Sequence, residues 1–389
     1  MSDPATETPP PSGPGRPAPK APQKVARADA GGTPPQRSRH ARNPLVLVLN
    51  FFLTSALLLV LLAGGLLYWS KSLYEQPGPL KENAVVVITS GSTLDDIASA
   101  LENAGVISNR WVFEGASKFF ENTGKLKAGE YAFVPGMTMR QVMDEIVAGR
   151  SIQHAMTVPE GVTSAQVVDK LAAEPLLSGV LTTIPAEGTL LPETYKFTRG
   201  AGRKQMIERM TKAQSEALAE IWAGRDPSIP LKTPEELVIL ASLVEKETGV
   251  AGERPRIAGV FINRLRKGMK LQSDPTILYG LYGGASWKQA RTIMRSDLQR
   301  PNPYNTYQIT GLPPGPIANP GRAAMEAVAH PADTDALYFV ADGTGGHVFA
   351  KSLDDHNRNV ARWRALQQSL SGGDAGNAPV AVQPATPAN

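Results

Sequence analysis

The sequence predicts an α+β fold, and three observations lead there. An uncharged apolar run (residues 45–69) is followed by short strand-like segments that alternate with helix-like ones. A Gly-x-Thr pattern recurs three times, each time leading from a strand or turn into an amphipathic helix. A helical pattern over residues 233–249 then opens a stretch that mixes helices, long polar loops and a closing hairpin. At 389 residues there is room for two domains of ordinary size plus tails. The formal charge of +4 is mild and much of it is local, so no nucleic-acid partner is implied. Cysteine is absent, which excludes disulfides, a thiol nucleophile, cysteine zinc sites and a lipid-modified cysteine.

Residues 1–43 are rich in Pro, Ala, Gly, Ser and Thr with scattered basic residues, the composition of a disordered tail. The apolar run that follows is long enough to span a bilayer as one helix, placed at 44–69. A cleaved secretory signal fits less well. The leader is too long, the run exceeds an ordinary h-region, and no small-x-small site follows. Arg37, Arg39 and Arg42 flank its amino side, so the positive-inside rule puts the tail in the cytoplasm and everything after Tyr68 and Trp69 across the membrane.

The three repeats centre on Thr93, Thr138 and Thr163, with apolar partners four and eight positions on: Ile97 and Leu101, Val142 and Ile146, Val167 and Leu171. Each reads as a threonine-capped amphipathic helix. The first two, with a strand at residues 84–89 and the hairpin strand GEYAFVP, suit one small αβ module at about 82–150. A plain structural role and a carbohydrate-binding role are equally open from this pattern. From about 151 come the third copy, the turn-rich EGTLLPETYKF ending in a strand, and a helix near residues 203–225. After the 233–249 helix follow a second helix at 253–268 with Ile257, Val260, Phe261 and Leu265 on its core face, and a long loop at 301–321. A hairpin, ALYFVAD and HVFAKS around Gly-Thr-Gly-Gly, and a helix at about 353–367 close the domain; the tail from 371 is low complexity.

The 233–249 helix carries the chemical clue. Thr233 with Glu236 is a capping-box start, Pro234 takes the first helical position and Gly249 is the expected stop. At 100° per residue Leu237, Leu240, Leu243 and Val244 share an apolar arc with Ile239 at its edge, while Ser242 and Lys246 point to water. Glu247 falls inside the arc, and Glu245 on its flank near Val238 and Ala241. Burial and the negative end of the helix dipole both raise a carboxyl pKa, which suits a general acid near neutral pH. A buried Glu paired with a nearby arginine is the plainer alternative.

Other chemistries lack support. There is no Gly-x-Ser-x-Gly or Ser-x-x-Lys, no His-x-x-x-His pair among five scattered histidines, and no P-loop or dinucleotide fingerprint. Carboxylate chemistry on sugars suits what surrounds Glu247. Asn263, Gln272, Ser273, Asp274, Tyr304, Asn305 and Tyr307 are hydrogen-bonding and stacking residues of the kind a saccharide groove uses, crowded into the stretch after Glu247 and set largely on loops.

LASLVEKET, GVFINRLRKGMKLQSDPTILYG, NPYNTYQITGLPPGPIANPG and LYFVADGTGGHVF, in this order, closely resemble the membrane-anchored endolytic murein transglycosylases of the YceG-like (MltG) family, over about residues 80–370. The resemblance implies a bacterial inner-membrane protein, single-pass, with a LysM-like module (80–150) and a catalytic domain (151–370) in the periplasm or cell wall. It implies a lyase that cuts peptidoglycan glycan strands between MurNAc and GlcNAc, leaving 1,6-anhydroMurNAc ends, with cell-wall synthases as partners; the carboxyl chemistry requires no cofactor, so none is expected. The family's catalytic glutamate, the second Glu of EKET, is Glu247 here. Glu245 is expected to be a structural or supporting carboxylate and is grouped with the substrate-binding candidates. Two alternatives stay open: a muramidase-type hydrolase pairing Glu247 with Asp274, and a catalytically silent cell-wall scaffold. The 1–43 segment is longer and richer in proline than the family leads one to expect.

Overall fold

A computed structural model describes residues 44–286 and 293–370. The two expected tails, 1–43 and 371–389, lie outside the described residues. The chain divides into two compact units at residues 69 and 70. In the first, the described part belongs to helix α1 (Pro44–Glu75), which is long and apolar enough to cross a membrane. From Leu45 to Leu67 its Leu, Val and Phe side chains are exposed. Thr54, a polar residue within the run, turns its hydroxyl back onto the helix carbonyls of Asn50 (2.7 Å) and Phe51 (3.0 Å), so it leaves no unpaired donor.

The second unit holds three hydrophobic cores and three two-stranded antiparallel sheets among the described residues. The first core lies under β1 (Ala84–Ile88), α2 (Leu94–Asn103), α3 (Arg110–Phe119), β2 (Gly129–Phe133) and α4 (Met139–Ala148). β1 pairs with β2, Ala84 opposite Phe133 and Ile88 opposite Gly129. The second core is built by β3 (His154–Thr157), α5 (Ser164–Ala173), β4 (Thr194–Phe197) and α6 (Arg203–Gly224), with β3 antiparallel to β4. All three repeat threonines cap their helices. Thr93, Thr138 and Thr163 accept from the amides of Asp96, Gln141 and Gln166, whose side chains answer by accepting from the threonine amides. The apolar partners at the fourth and eighth positions are all buried. A local cap and a distant core therefore agree on where each helix starts.

The third and largest core surrounds α7 (Pro234–Glu247). Packed with it are α8 (Arg254–Arg266), α9 (Asp274–Tyr282), α11 (Arg322–Ala329) and the hairpin β5 (Tyr338–Ala341) and β6 (His347–Ala350); the described elements also include α10 (Arg295–Gln299) and α12 (Leu353–Leu370), which lies against the hairpin. Residues 301–321 form the expected long loop. Every residue of α7 from Leu237 to Val244 except Ile239 is buried. Two expectations for α7 change as a result. Ser242 does not face water. It is fully buried, donates to the Ile239 carbonyl (2.7 Å) and accepts from the amide of Ile317, because the long loop packs on what the wheel made the polar face. Lys246 is half-buried and reaches the Gly161 carbonyl.

The helix ends also differ in detail. Thr233 caps Glu236 as expected, but the Glu236 carboxylate reaches one residue further back, to the amide of Lys232 (2.5 Å). Gly249 is not the stop. Thr248 is already extended (φ −142°, ψ 136°), and its hydroxyl accepts from the amide of Val250, so a side chain turns the chain where a left-handed glycine was expected. Glu247 is thus the last residue of the helix.

Candidate active site

Glu247 gains its setting from the start of α9. Ser273 occupies the N-cap position there, yet it makes no capping bond to its own helix. Its hydroxyl donates instead to Glu247 Oε1 at 2.5 Å. A cap is worth about 1 kcal/mol, so the diversion favours the carboxyl at the expense of the helix. The residue before it, Gln272, is left-handed (φ 51°), which strains a non-glycine backbone. The turn is fixed from outside: Gln272 N donates to the Thr306 carbonyl (3.2 Å) and Ser273 N to Thr306 Oγ1 (2.9 Å). Thr276 closes the knot by donating to the Ser273 carbonyl (2.6 Å) and bonding the Thr306 hydroxyl (2.9 Å). Strain held in this way, beside an ionisable group, is a mark of functional sites.

The Glu247 carboxyl is enclosed by protein while part of the residue stays open to solvent. Burial pushes its pKa up to about 7, and the neighbouring Asp274 adds to the rise; the Ser273 hydroxyl and, more distantly, the Arg264 guanidinium pull the other way. Asp274 is itself raised by burial, and accepts a hydrogen bond from Tyr307 (2.7 Å) that partly offsets the rise. Tyr307 is driven well above the usual tyrosine range, by burial first and then by Asp274, so it remains a donor. One carboxyl balanced near neutrality can both give and take a proton at ordinary pH.

Known proteins are similar to this chain in sequence. A model of the YceG-like family matches residues 86–362. The chain belongs to the YceG-like family. A Bacillus subtilis (strain 168) protein named endolytic murein transglycosylase is 33% identical over 331 residues, covering 77% of this chain and 90% of the relative. A protein of the same name from Streptococcus pneumoniae serotype 2 is 31% identical over 364 residues, covering 81% of this chain and 64% of the relative. The chain thus spans less than two thirds of the pneumococcal protein. A crystal structure of a yceG-like protein from Listeria monocytogenes is 33% identical and covers 72% of this chain and 99% of its own, at a TM-score of 0.45.

Within this family member the residues singled out by sequence fall into two groups. Ser273, Asp274 and Tyr307 face Glu247, and Gln272 is the next residue along the chain from Ser273. Tyr304 lies on the same loop as Tyr307, its ring 4.8 Å from that of Tyr279. The others are engaged within the fold. Asn305 is fully buried; its amide donates to the carbonyls of Asp297, Leu298 and Arg300, and its oxygen accepts from Tyr307 N, so it braces the loop. The Asn263 amide ties α8 to the carbonyls of Thr334 (2.7 Å) and Ala336 (3.2 Å). Glu245 accepts from Arg254 (2.9 Å) and from the amide of Gly321 (2.9 Å), and Arg254 also pairs with Glu160 (2.9 Å). These bonds tie Glu245 into the fold between α7, α8 and the long loop.

Three residues escaped the sequence reading. Arg264, buried, lies seven residues after Ile257 on the core stripe of α8. The rule that picked out Glu247 would have found it. Glu187 opens the EGTLLPETYKF run and accepts from Ser164 N, Tyr279 (3.1 Å) and Asn319 (3.4 Å), joining α5, α9 and the long loop. Burial raises its pKa. Thr306, which holds the Ser273 turn, carries no signal in sequence.

Proposed function

We propose that this chain is an endolytic murein transglycosylase that cuts glycan strands of peptidoglycan between MurNAc and GlcNAc. The observation that carries the reading is one enclosed carboxyl on a partly exposed residue, Glu247, its pKa raised to about 7 and its oxygen bonded to a hydroxyl diverted from its helix cap. Protonated Glu247 gives its proton to the glycosidic oxygen, and the C1–O bond breaks. The carboxylate then takes the proton of the MurNAc C6 hydroxyl, whose oxygen bonds to C1. The product end is 1,6-anhydroMurNAc, no water is consumed, and Glu247 is again protonated. Ser273 orients the carboxyl, while Asp274 and Tyr307 line its approach. Gln272 and Tyr304 are the further saccharide contacts in this reading.

The organisation follows from the same reading: a 1–43 cytoplasmic tail, a membrane anchor at 44–69, a LysM-like module at 80–150 that holds glycan, a catalytic domain at 151–370 and a second tail at 371–389. The exposed apolar side chains of α1 and the arginines before it support a single-pass inner-membrane protein with its catalytic domain in the periplasm. Cell-wall synthases that extend nascent strands are the natural partners, since cleavage would end or trim their product.

Mass spectrometry of products from purified uncross-linked glycan strands tests the reaction, using the full chain in detergent. Anhydro-ended fragments, absent with Glu247→Gln, are expected. Reducing ends heavier by one water would instead make Asp274 the partner carboxylate of a muramidase-type hydrolase. A folded chain that cleaves nothing, and a Glu247→Gln strain that behaves as wild type, would favour the scaffold.

A further inference from the structure

Arg264 is only 6% exposed, and burying a guanidinium is costly unless something compensates for it. Among the described residues no carboxylate lies within ion-pair distance of it. Its hydrogen bonds go to main-chain carbonyls: Nε to Leu337 (2.7 Å), Nη1 to Leu271 (2.7 Å) and, more weakly, to Lys270 (3.4 Å). A neutral amide could serve such carbonyls. The full positive charge is what calls for an explanation.

Two features of the surroundings supply one. Two of the three carbonyls that Arg264 holds, those of Lys270 and Leu271, belong to the residues just before the left-handed Gln272 and the diverted Ser273; the third, that of Leu337, anchors the guanidinium to the chain before β5. Thr306 grips the same turn from the other side. A non-glycine residue keeps such a backbone only where its surroundings fix it, so Arg264 and Thr306 are the two jaws of one clamp. The second feature is charge. The groups that face Glu247 are the Ser273 hydroxyl and Asp274 from the start of α9, Tyr307 from the long loop, and Arg264 from α8. Of these only Arg264 is a cation. A proton-shuttling carboxyl must spend part of each cycle ionised within a protein interior, beside a second acidic group.

We propose that Arg264 is a positioning residue for Glu247: it holds the turn that aims Ser273 at the carboxyl, and it supplies the fixed counter-charge for the carboxylate formed when the proton leaves. The inference rests on Glu247 being the acid–base residue. It assigns two separable jobs to one side chain, one through hydrogen bonds and one through space.

The test is strand cleavage by the full chain across pH 5–10, with Arg264→Gln, Arg264→Lys and Glu247→Gln side by side and rates expressed per folded protein from thermal unfolding in the assay buffer. Arg264→Gln removes the charge. Its kcat should fall about tenfold or more with KM little changed, and the alkaline limb of the profile should move to higher pH by about half a unit to one unit, because the carboxyl then holds its proton longer. Arg264→Lys keeps the charge and loses the forked contacts. It should lower kcat while leaving the limb near its wild-type place. A limb that stays put in the Gln variant, or a wild-type kcat in either variant, overturns the inference. Arg264→Lys alone decides the matter if the Gln variant does not fold, since a limb displaced as the proton affinity rises would mean the charge is not what matters. Glu247→Gln separates the two levels: wild-type cleavage by that variant sinks the reading of Glu247 itself, and an inactive one leaves any failure to Arg264.

Discussion

Glu245 and Glu247 stand two residues apart at the end of one helix, and the protein treats them in opposite ways. Glu245 is given a cation and a backbone amide: Arg254 at 2.9 Å, itself shared with Glu160, and Gly321 N at 2.9 Å. Glu247 is given one hydroxyl, an acidic neighbour and no paired cation at bonding distance among the described residues. The first arrangement ties α7 to α8 and the long loop. The second leaves the charge unsettled, so that the proton is free to move. Buried carboxylates are not functional as such; what matters is whether their surroundings commit them to one protonation state.

The sharpest way to break the comparison is Glu247→Gln. Strand cleavage should drop by about a thousandfold, within the range removed with a general acid–base group, while the fold survives. Stability should move the other way, and the sign follows from the raised pKa. The folded chain holds a proton that the unfolded chain releases near pH 4.5, so the wild type loses stability as pH rises from there to about 7. The variant escapes that loss: thermal unfolding should show it more stable by up to about 3 kcal/mol at pH 8 and no different at pH 4. Equal stability at both pH values would mean that Glu247 is not held protonated.

Glu245→Gln should invert this pattern. Removing one partner of a buried ion pair typically costs about 3 kcal/mol, and cleavage per folded molecule should stay within a few-fold of wild type. A variant that melts normally yet cleaves a hundredfold more slowly would erase the distinction between the two glutamates. Ser273→Ala comes next. Loss of the hydroxyl should slow cleavage about tenfold and shift the alkaline limb upward, because a bond that favours the carboxylate has gone. The smallest effect sharpens the contrast from outside the site. Thr138→Ala removes a helix cap in the first module and should cost about 1 kcal/mol in unfolding with the cleavage rate per folded molecule unchanged.

How much of this was legible in sequence depended on whether the relevant force was local. The three threonine caps were readable because a hydroxyl and the residue three positions on meet within one turn of helix, and their apolar partners repeat at helical spacing. Glu247 was readable because it broke an apolar stripe. The same helical wheel misplaced Ser242, since α7 is enclosed on nearly all sides and the 301–321 loop covers the face that appeared polar. It also passed over Arg264, although that cation breaks the stripe of α8 in the same manner. Asn263 and Asn305 were chosen for their chemistry; only the packing revealed that carbonyls of the fold already occupy their amides.

By itself the sequence determined much of the element pattern: an apolar helix, capped amphipathic helices, a closing hairpin, and an acidic residue placed where a core should be. Those follow from periodicity and caps, which act within a few residues of chain. The tertiary structure decided which carboxyl could work. The difference between Glu245 and Glu247 is made by Arg254, Gly321, Ser273 and Asp274, which lie outside α7: the first two engage Glu245 in an ion pair and a backbone bond, while burial and the last two set the proton affinity of Glu247.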